Sequence, residues 1–217
     1  MKVEIWSDVV CPWCFVGKRR FEQALEQFEH AGDVEVVWRS FQLDPGAAPA
    51  GGLTASENLA RKYGMSVAQA AARHAQMEEL GRREGLDFHF DRARPGNTTD
   101  AHRLIQAARE QGRADAVEER LMRGYFAEGM DLADREVLAR AAEEAGLTGA
   151  RAAFTEDRFA EAVQADLARA AALGLHGVPA FVIGGKYLVS GAQHPDRILE
   201  ALRRAWADDE ARAPAVP

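Results

Sequence analysis

Apolar and polar residues alternate from Lys2 to Ser7, with Val3 and Ile5 on one side and Glu4 and Trp6 on the other, so the chain opens with a short strand. Pro12 suits the first turn of a helix, and beyond it Phe21, Leu25 and Phe28 recur at i, i+4 and i+7. That spacing predicts an amphipathic helix over residues 12 to 30, ending near Gly32. Val34 to Phe41 is rich in β-formers and predicts a second strand. A β-α-β opening calls for a right-handed parallel crossover.

Residues 44 to 52 carry turn and loop chemistry, and from there to about Leu173 the chain is rich in Ala, Glu, Arg and Leu. Five or six helices are expected, with Gly64, Gly85, Gly112, Gly146 and Gly174 where helices can stop. Asn97 or Thr98, with Asp100, offers an N-cap for a helix carrying Leu104, Ile105 and Ala108. Strand character returns at Ala180 to Ile183, followed by Gly184-Gly185 as a two-residue hairpin turn and a strand from Lys186 to Ser190. A last helix is expected from His194-Pro195-Asp196, carrying Ile198, Leu199, Leu202 and Trp206, with a frayed tail from Ala207. The order is β-α-β, a helical block, then β-β-α, with no internal repeat. An α/β fold follows, with residues 1–43 and 174–207 forming one small sheet domain, residues 54–173 a helical domain inserted into it, and residues 208–217 a flexible tail.

Composition acts by exclusion. Of 217 residues 47% are apolar, 28% charged and 8% aromatic, the balance of a chain with a sizeable core, which excludes disorder, collagen and a small disulfide scaffold. Length alone allows one or two domains. No apolar stretch approaches the roughly 18 residues of a membrane span. The 34 acidic against 27 basic residues give a net charge of -7, which repels phosphate backbones, so no nucleic-acid partner is expected. The N-terminus lacks a basic segment followed by an apolar one, so a cytoplasmic location is expected.

The two cysteines change the picture most. In Cys11-Pro12-Trp13-Cys14 the first cysteine precedes the helix and the second lies one turn inside it. Unpaired N–H groups and the positive end of the helix dipole favour a thiolate on Cys11, making it the attacking and leaving group. Cys14 lies on the same face and can resolve a mixed disulfide by intramolecular attack. Pro12 presets the helical φ, and Trp13 covers the motif or a substrate surface. A random pair of cysteines would fall at this spacing about once in a hundred. Half of a zinc site is the other reading, but His30, His74, His89, His102, His176 and His194 contain no pair three to five apart. Gly177-Val178-Pro179-Ala180 leads into the third strand, and a cis Val178-Pro179 bond there would expose the Val178 backbone to an extended substrate and keep metal ions off the thiols.

Ser7-Asp8-Val9-Val10-Cys11-Pro12-Trp13-Cys14, Val178-Pro179 and Ser190-Gly191-Ala192-Gln193 together resemble the DsbA family of thioredoxin-fold proteins, in particular its FrnE-like branch, over nearly the whole chain. The resemblance implies a cis-proline loop facing the CxxC, a helical domain inserted into the thioredoxin fold, and disulfide exchange with protein thiols or disulfides or with glutathione, with no tightly bound cofactor and no metal. Cys14 and Pro179 lie 165 residues apart, too far for a bare thioredoxin domain. Family members that oxidise secreted proteins have an export signal and a histidine inside the CxxC; Trp13 stands here, so oxidant strength does not carry over. The same branch is similar to 2-hydroxychromene-2-carboxylate isomerases and kappa-class glutathione transferases, which bind glutathione and typically have Ser where Cys11 stands. A glutathione-dependent isomerase or transferase is therefore the alternative.

The resemblance also places Asn97 to Arg103 against the active site. Asn97, His102 and Arg103 join Pro12, Trp13 and Val178 as candidate substrate-binding residues, with His102 stabilising a thiolate or carrying a proton; the competing reading is an N-cap with solvated charges. Cys11, Cys14 and Pro179 are the catalytic candidates. Phe41, Leu43, Trp38 and Tyr187 are candidates for an apolar groove, with core packing as the other reading. Glu4, the acidic residue in the strand before the CxxC, is a candidate proton acceptor beneath Cys14. Ala-rich helical faces are compatible with a monomer or a homodimer.

Overall fold

A computed structural model describes residues 1–48 and 52–210. Four strands, β1 (Lys2–Ser7), β2 (Glu35–Ser40), β3 (Ala180–Ile183) and β4 (Tyr187–Ser190), form one sheet in the order β2-β1-β3-β4. β1 runs parallel to β2, with Ile5 opposite Trp38, and antiparallel to β3, with Ile5 opposite Phe181. The central strand β1 is covered on both faces, which is why its polar-side residues Glu4 and Trp6 are as buried as Val3 and Ile5. The parallel crossover is made by α1 (Pro12–Glu26).

Val3 and Ile5 face α1 and α8 (Pro195–Glu210), where Phe21 stacks on Phe181 with ring centroids 5.7 Å apart. Trp6 faces the other way, joins Ala170, Leu175 and Val182, and donates its indole N–H to the Asp166 carbonyl of α7 (Asp157–Ala172) at 3.2 Å. Between β2 and α7 lie α2 (Ala55–Tyr63), α3 (Val67–Arg83), α4 (Thr99–Glu110), α5 (Ala114–Arg123) and α6 (Arg135–Glu144), six helices with α7, within the number expected. All five predicted glycine stops fall at or just past helix ends with positive φ; Gly64, at φ 63°, caps α2. Thr54 and Ser66 build capping boxes with Glu57 and Gln69, which fix the starts of α2 and α3. Thr98 occupies the N-cap position of α4, and the Asn97 carboxamide oxygen accepts from the Thr99 N–H at 2.9 Å. A π-helical turn, Gly124–Glu128, continues α5 and carries the buried Tyr125 and Phe126.

Several boundaries move, and β2 is one residue shorter at each end than the expected Val34 to Phe41. α1 ends at Glu26, short of residue 30, because Phe28 and His30 turn out to pack on Trp206 of α8; His30 stacks on the indole at 4.1 Å and 8°. Gly184 and Gly185 both have positive φ and form the hairpin turn, but Lys186 closes it by donating its N–H to the Ile183 carbonyl at 3.1 Å, so β4 begins at Tyr187. α8 continues to Glu210 where fraying was expected from Ala207, since Lys186 and the Tyr187 hydroxyl hold Asp208. The rest of the predicted tail, residues 211–217, lies outside the described residues, as do residues 49–51 of the expected loop. No helix among the described residues is long and apolar enough to cross a membrane.

Candidate functional site

Cys11 is the N-cap residue of α1, in extended conformation, and its carbonyl accepts from the N–H groups of Cys14 and Phe15 at 3.0 and 3.4 Å. Both cysteines are free thiols and both are buried, Cys11 at 4% exposure and Cys14 at 1%. The Cys11 thiol donates to the Val178 carbonyl at 3.7 Å, and the Val178-Pro179 peptide is cis. Gly17, almost one turn past Cys14, lets the Pro179 ring rest directly on α1. Pro179 in turn accepts from the Gly191 N–H at 2.8 Å, and Arg20 of α1 donates to the Ala192 carbonyl at 2.7 Å. Three segments distant in sequence, Cys11–Cys14, Val178–Pro179 and Ser190–Gln193, thus meet at one end of the sheet.

Cys11, Pro12, Trp13 and Val178 form one wall of a cleft of about 1020 Å³. The opposite wall comes from α2 and α3, where Leu59, Met77 and Leu80 supply apolar surface and Arg61, Lys62 and Arg73 supply positive charge. Tyr125 and Phe126 of the π-turn close the inner end. Trp13 and Tyr63 are about half exposed at the rim, large aromatic surfaces open to a ligand. Of the apolar-groove candidates, Leu43 lines the cleft. Trp38 is core and donates to Asp115, Phe41 packs with the Trp6 cluster, and Tyr187 is held by Asp208. Among the described residues no three His, Cys, Asp or Glu side chains gather as a metal-binding set.

The DsbA-like thioredoxin domain family matches residues 2–203 of this chain. The chain belongs to that family. A probable DsbA oxidoreductase of Streptomyces coelicolor is 42% identical, with all of this chain and 93% of that one covered at a TM-score of 0.91. At lower identity the fold is shared with the cytosolic disulfide reductase DsbM of Pseudomonas aeruginosa, solved with GSH (18%, 98% of each chain, TM-score 0.64). It is shared too with a 2-hydroxychromene-2-carboxylate isomerase (13%, 97% of this chain and 98% of that one, TM-score 0.68). The thioredoxin-like fold with inserted helices, expected from the resemblance, is the fold observed.

Beneath the CxxC of this DsbA-like chain lies a buried polar cluster. The Cys14 thiol is pushed well above its ordinary value by burial, and further by the neighbouring Cys11 thiol, while the Asp8 backbone and the Ser7 hydroxyl favour its thiolate. Ser7 donates to Glu118 Oε1 of α5 at 2.6 Å. Glu118 is 1% exposed; burial pushes its carboxyl up to about 7 against the opposing pull of Ser7, His102 and Lys18. His102 lies 3.3 Å from Asp8 Oδ1, whose other oxygen accepts from the Leu43 N–H at 2.8 Å. Burial disfavours the imidazolium, but the hydrogen bond and charge of Asp8, aided by Glu118 and the Phe41 backbone, outweigh it and raise the His102 value.

The predicted segment Asn97–Arg103 is divided by the structure. None of Asn97, His102 and Arg103 lines the cleft. The Asn97 amide donates to the Pro45 and Ala47 carbonyls and so shapes the loop at the cleft edge. Arg103 is turned away, its guanidinium donating to the Ala153 and Glu156 carbonyls. His102 sits behind Asp8, fully buried, a partner of the motif rather than of a ligand. Glu4 is not beneath Cys14: strand alternation aims it at the opposite face, into Arg39 and Arg169. The residue missed was Glu118. It shares the buried stripe of α5 with Val117, Leu121 and Met122, so a carboxylate on an apolar helical face was the available signal.

Proposed function

We propose that this protein is a thiol:disulfide oxidoreductase that cycles the Cys11–Cys14 pair between dithiol and disulfide. Cys11 attacks a substrate disulfide, or is itself oxidised in the reverse direction, and Cys14 resolves the mixed disulfide. The observation that carries this reading is the Cys11 thiol against the Val178 carbonyl at the wall of an open cleft, with Cys14 one turn behind it. An extended substrate beside Val178 would bring its sulfur to the exposed side of Cys11, with Pro12 and Trp13 beneath it. Arg61, Lys62 and Arg73 favour an acidic thiol such as glutathione, or an acidic peptide stretch, and a reducing compartment such as the cytosol suits a two-cysteine protein of this kind.

The test is reduction of insulin by dithiothreitol or glutathione, comparing the parent protein with Cys11→Ser and Cys14→Ser. The parent is expected to accelerate the reaction. Cys11→Ser should abolish that acceleration, and Cys14→Ser should accumulate a mixed disulfide on Cys11. Three equally inert proteins would overturn the reading. The apolar wall of Leu59, Met77 and Leu80 would then favour glutathione-dependent isomerisation or transfer on a small apolar substrate, with the cleft cations holding the glutathione carboxylates.

A further inference from the structure

We propose that Glu118 of the inserted helix α5, acting through the Ser7 hydroxyl, is the station that takes the proton from Cys14 when the mixed disulfide is resolved and returns it when the pair is reduced again. The proposal rests on the thiol–disulfide reading and concerns a residue outside the CxxC and the proline loop.

Cys14 is 1% exposed and so has no bulk water at hand to receive its proton. A thiol must lose that proton before it can attack, so a buried resolving cysteine needs an acceptor inside the protein. The candidate acceptors are Asp8, His102, Glu4 and Glu118. Asp8 is spent on the Leu43 N–H and on His102, and the His102 Nε2 is turned to that carboxylate, 3.3 Å away. Glu4 points to the far face of the sheet into two arginines. Ser7 stands beside the Cys14 sulfur and donates to Glu118 at 2.6 Å, leaving Glu118 as the remaining acid in line.

Glu118 is also unlike the other carboxylates of its helix. Its neighbour Glu119 is held by Arg19, and Asp115 by Lys18 and the Trp38 indole, whereas among the described residues the Glu118 carboxylate accepts from a neutral hydroxyl. A buried carboxylate without a cation of its own is costly, and a hydrogen bond to serine alone could be met by an amide. What the carboxyl adds is the capacity to gain and lose a proton. With its value near 7, Glu118 is poised to do so. The groups facing it are Ser7 and Asp8 from the end of β1, Lys18 from α1 and His102 from α4.

The step balances as follows. In the mixed disulfide Cys11 carries no charge, so its contribution to raising the Cys14 value is gone. The Cys14 S–H proton passes to the Ser7 oxygen as the Ser7 proton passes to the Glu118 carboxylate. The Cys14 thiolate attacks the Cys11 sulfur, the Cys11–Cys14 bond forms, and the bond from Cys11 to the substrate sulfur breaks with the electron pair leaving as substrate thiolate. The cysteine pair is oxidised by two electrons and the substrate disulfide is reduced. In the reverse direction protonated Glu118 supplies the proton to Cys14 by the same hydroxyl.

Mixing the reduced protein with glutathione disulfide, quenching in acid and weighing the intact protein over time separates formation of the glutathione adduct on Cys11 from its release by Cys14. In the parent, release should rise with pH through about 7 as Glu118 loses its proton. In Glu118→Gln the release-to-formation ratio should fall at least about tenfold and lose that inflection, a size typical of a lost proton acceptor. Ser7→Ala should do the same, and the double variant should be no slower than either single one, since both break one chain. Glu118→Asp should recover part of the ratio. Because both steps are read in one sample, loss of folded protein lowers them together and leaves the ratio unmoved. A Glu118→Gln protein with the parent's ratio and pH profile overturns the relay. If the parent forms no adduct at all, the exchange reading itself fails and the relay falls with it.

Discussion

A β-carbon at position 17 would lie 2.7 Å from Cγ and 3.3 Å from Cβ of Pro179, and 3.4 Å from Cζ of Phe181. The proline ring cannot bend away as a flexible chain end could, so either the loop that faces Cys11 or α1 itself must shift. Alanine gains roughly 0.5–1 kcal/mol over glycine inside a helix, but overpacking costs about 1–3 kcal/mol. The clash wins: Gly17→Ala is expected to lower stability by about 1 kcal/mol and to slow insulin reduction several-fold. Urea denaturation beside the insulin assay checks it, and a variant matching the parent in both would show that Pro179 does not bear on α1. At this scale the chemistry was legible wherever it is written in adjacent residues, as in Cys11–Cys14 and Val178–Pro179. The roles of Ser7 and Asp8 were not, because both entered only as part of the family motif, and Glu118 stood as one of a Glu-Glu pair on a charged helix. Only the packing of α5 against the end of β1 separates buried Glu118 from Glu119, which is drawn outward by Arg19.

Arg39 of β2 shows how the elements are tied together. Its guanidinium donates to Glu4 Oε1 on β1 at 2.6 and 2.9 Å and to Asp166 Oδ1 on α7 at 2.8 Å. Asp166 also accepts from the Ser40 N–H at 3.0 Å and from Gln106 of α4 at 2.7 Å. Two nearly buried carboxylates therefore share one cation, Arg39, that joins the parallel strands to the helices covering them, with Arg109 of α4 a further 3.6 Å contact to Asp166. Arg169 also reaches Glu4, but it is about half exposed, and exposed pairs contribute little. Removing Arg39 leaves Glu4 and Asp166 short of charge in a dry setting. Arg39→Ala is expected to cost about 3 kcal/mol, against less than about 1 kcal/mol for Arg169→Ala. Comparable losses in chemical denaturation would show that the network is not centred on β2. The strands and the helix-stopping glycines were legible because period and turn chemistry are local. The early end of α1 and the length of α8 were not, since the first follows from the stacking of His30 on Trp206 and the second from the ion pair of Lys186 with Asp208.

Across the whole molecule, the buried acids and the buried histidine pull the pH dependence of folding in opposite directions. Glu4 and Glu119 are held below the usual carboxylate range: burial raises them, but arginine partners, with Lys18 at Glu119, outweigh it. Their stabilisation is present above about pH 4.5 and is lost as pH falls through their folded values. Glu118 behaves oppositely. Its folded value is raised from 4.5 to about 7, so its contribution is complete below pH 4.5 and is lost as pH rises through about 7, on the order of 3 kcal/mol in all. His102, also raised, contributes fully below its ordinary value of 6.5 and loses its contribution as pH climbs through the folded one. The acid limb thus belongs to the ion pairs at the sheet and on α1, and the alkaline limb to the cluster beneath Cys14. Stability is expected to peak near pH 5 and to decline toward pH 8. Glu118→Gln, which cannot ionise, should flatten the stretch between about pH 5 and 7 while leaving the fall below pH 4.5 in place. Urea midpoints of both proteins from pH 3.5 to 8.5 test this. A parent midpoint that climbs steadily to pH 8, or a Glu118→Gln alkaline limb as steep as the parent's, would show that the carboxyl under the cysteine pair does not hold its proton in the folded protein.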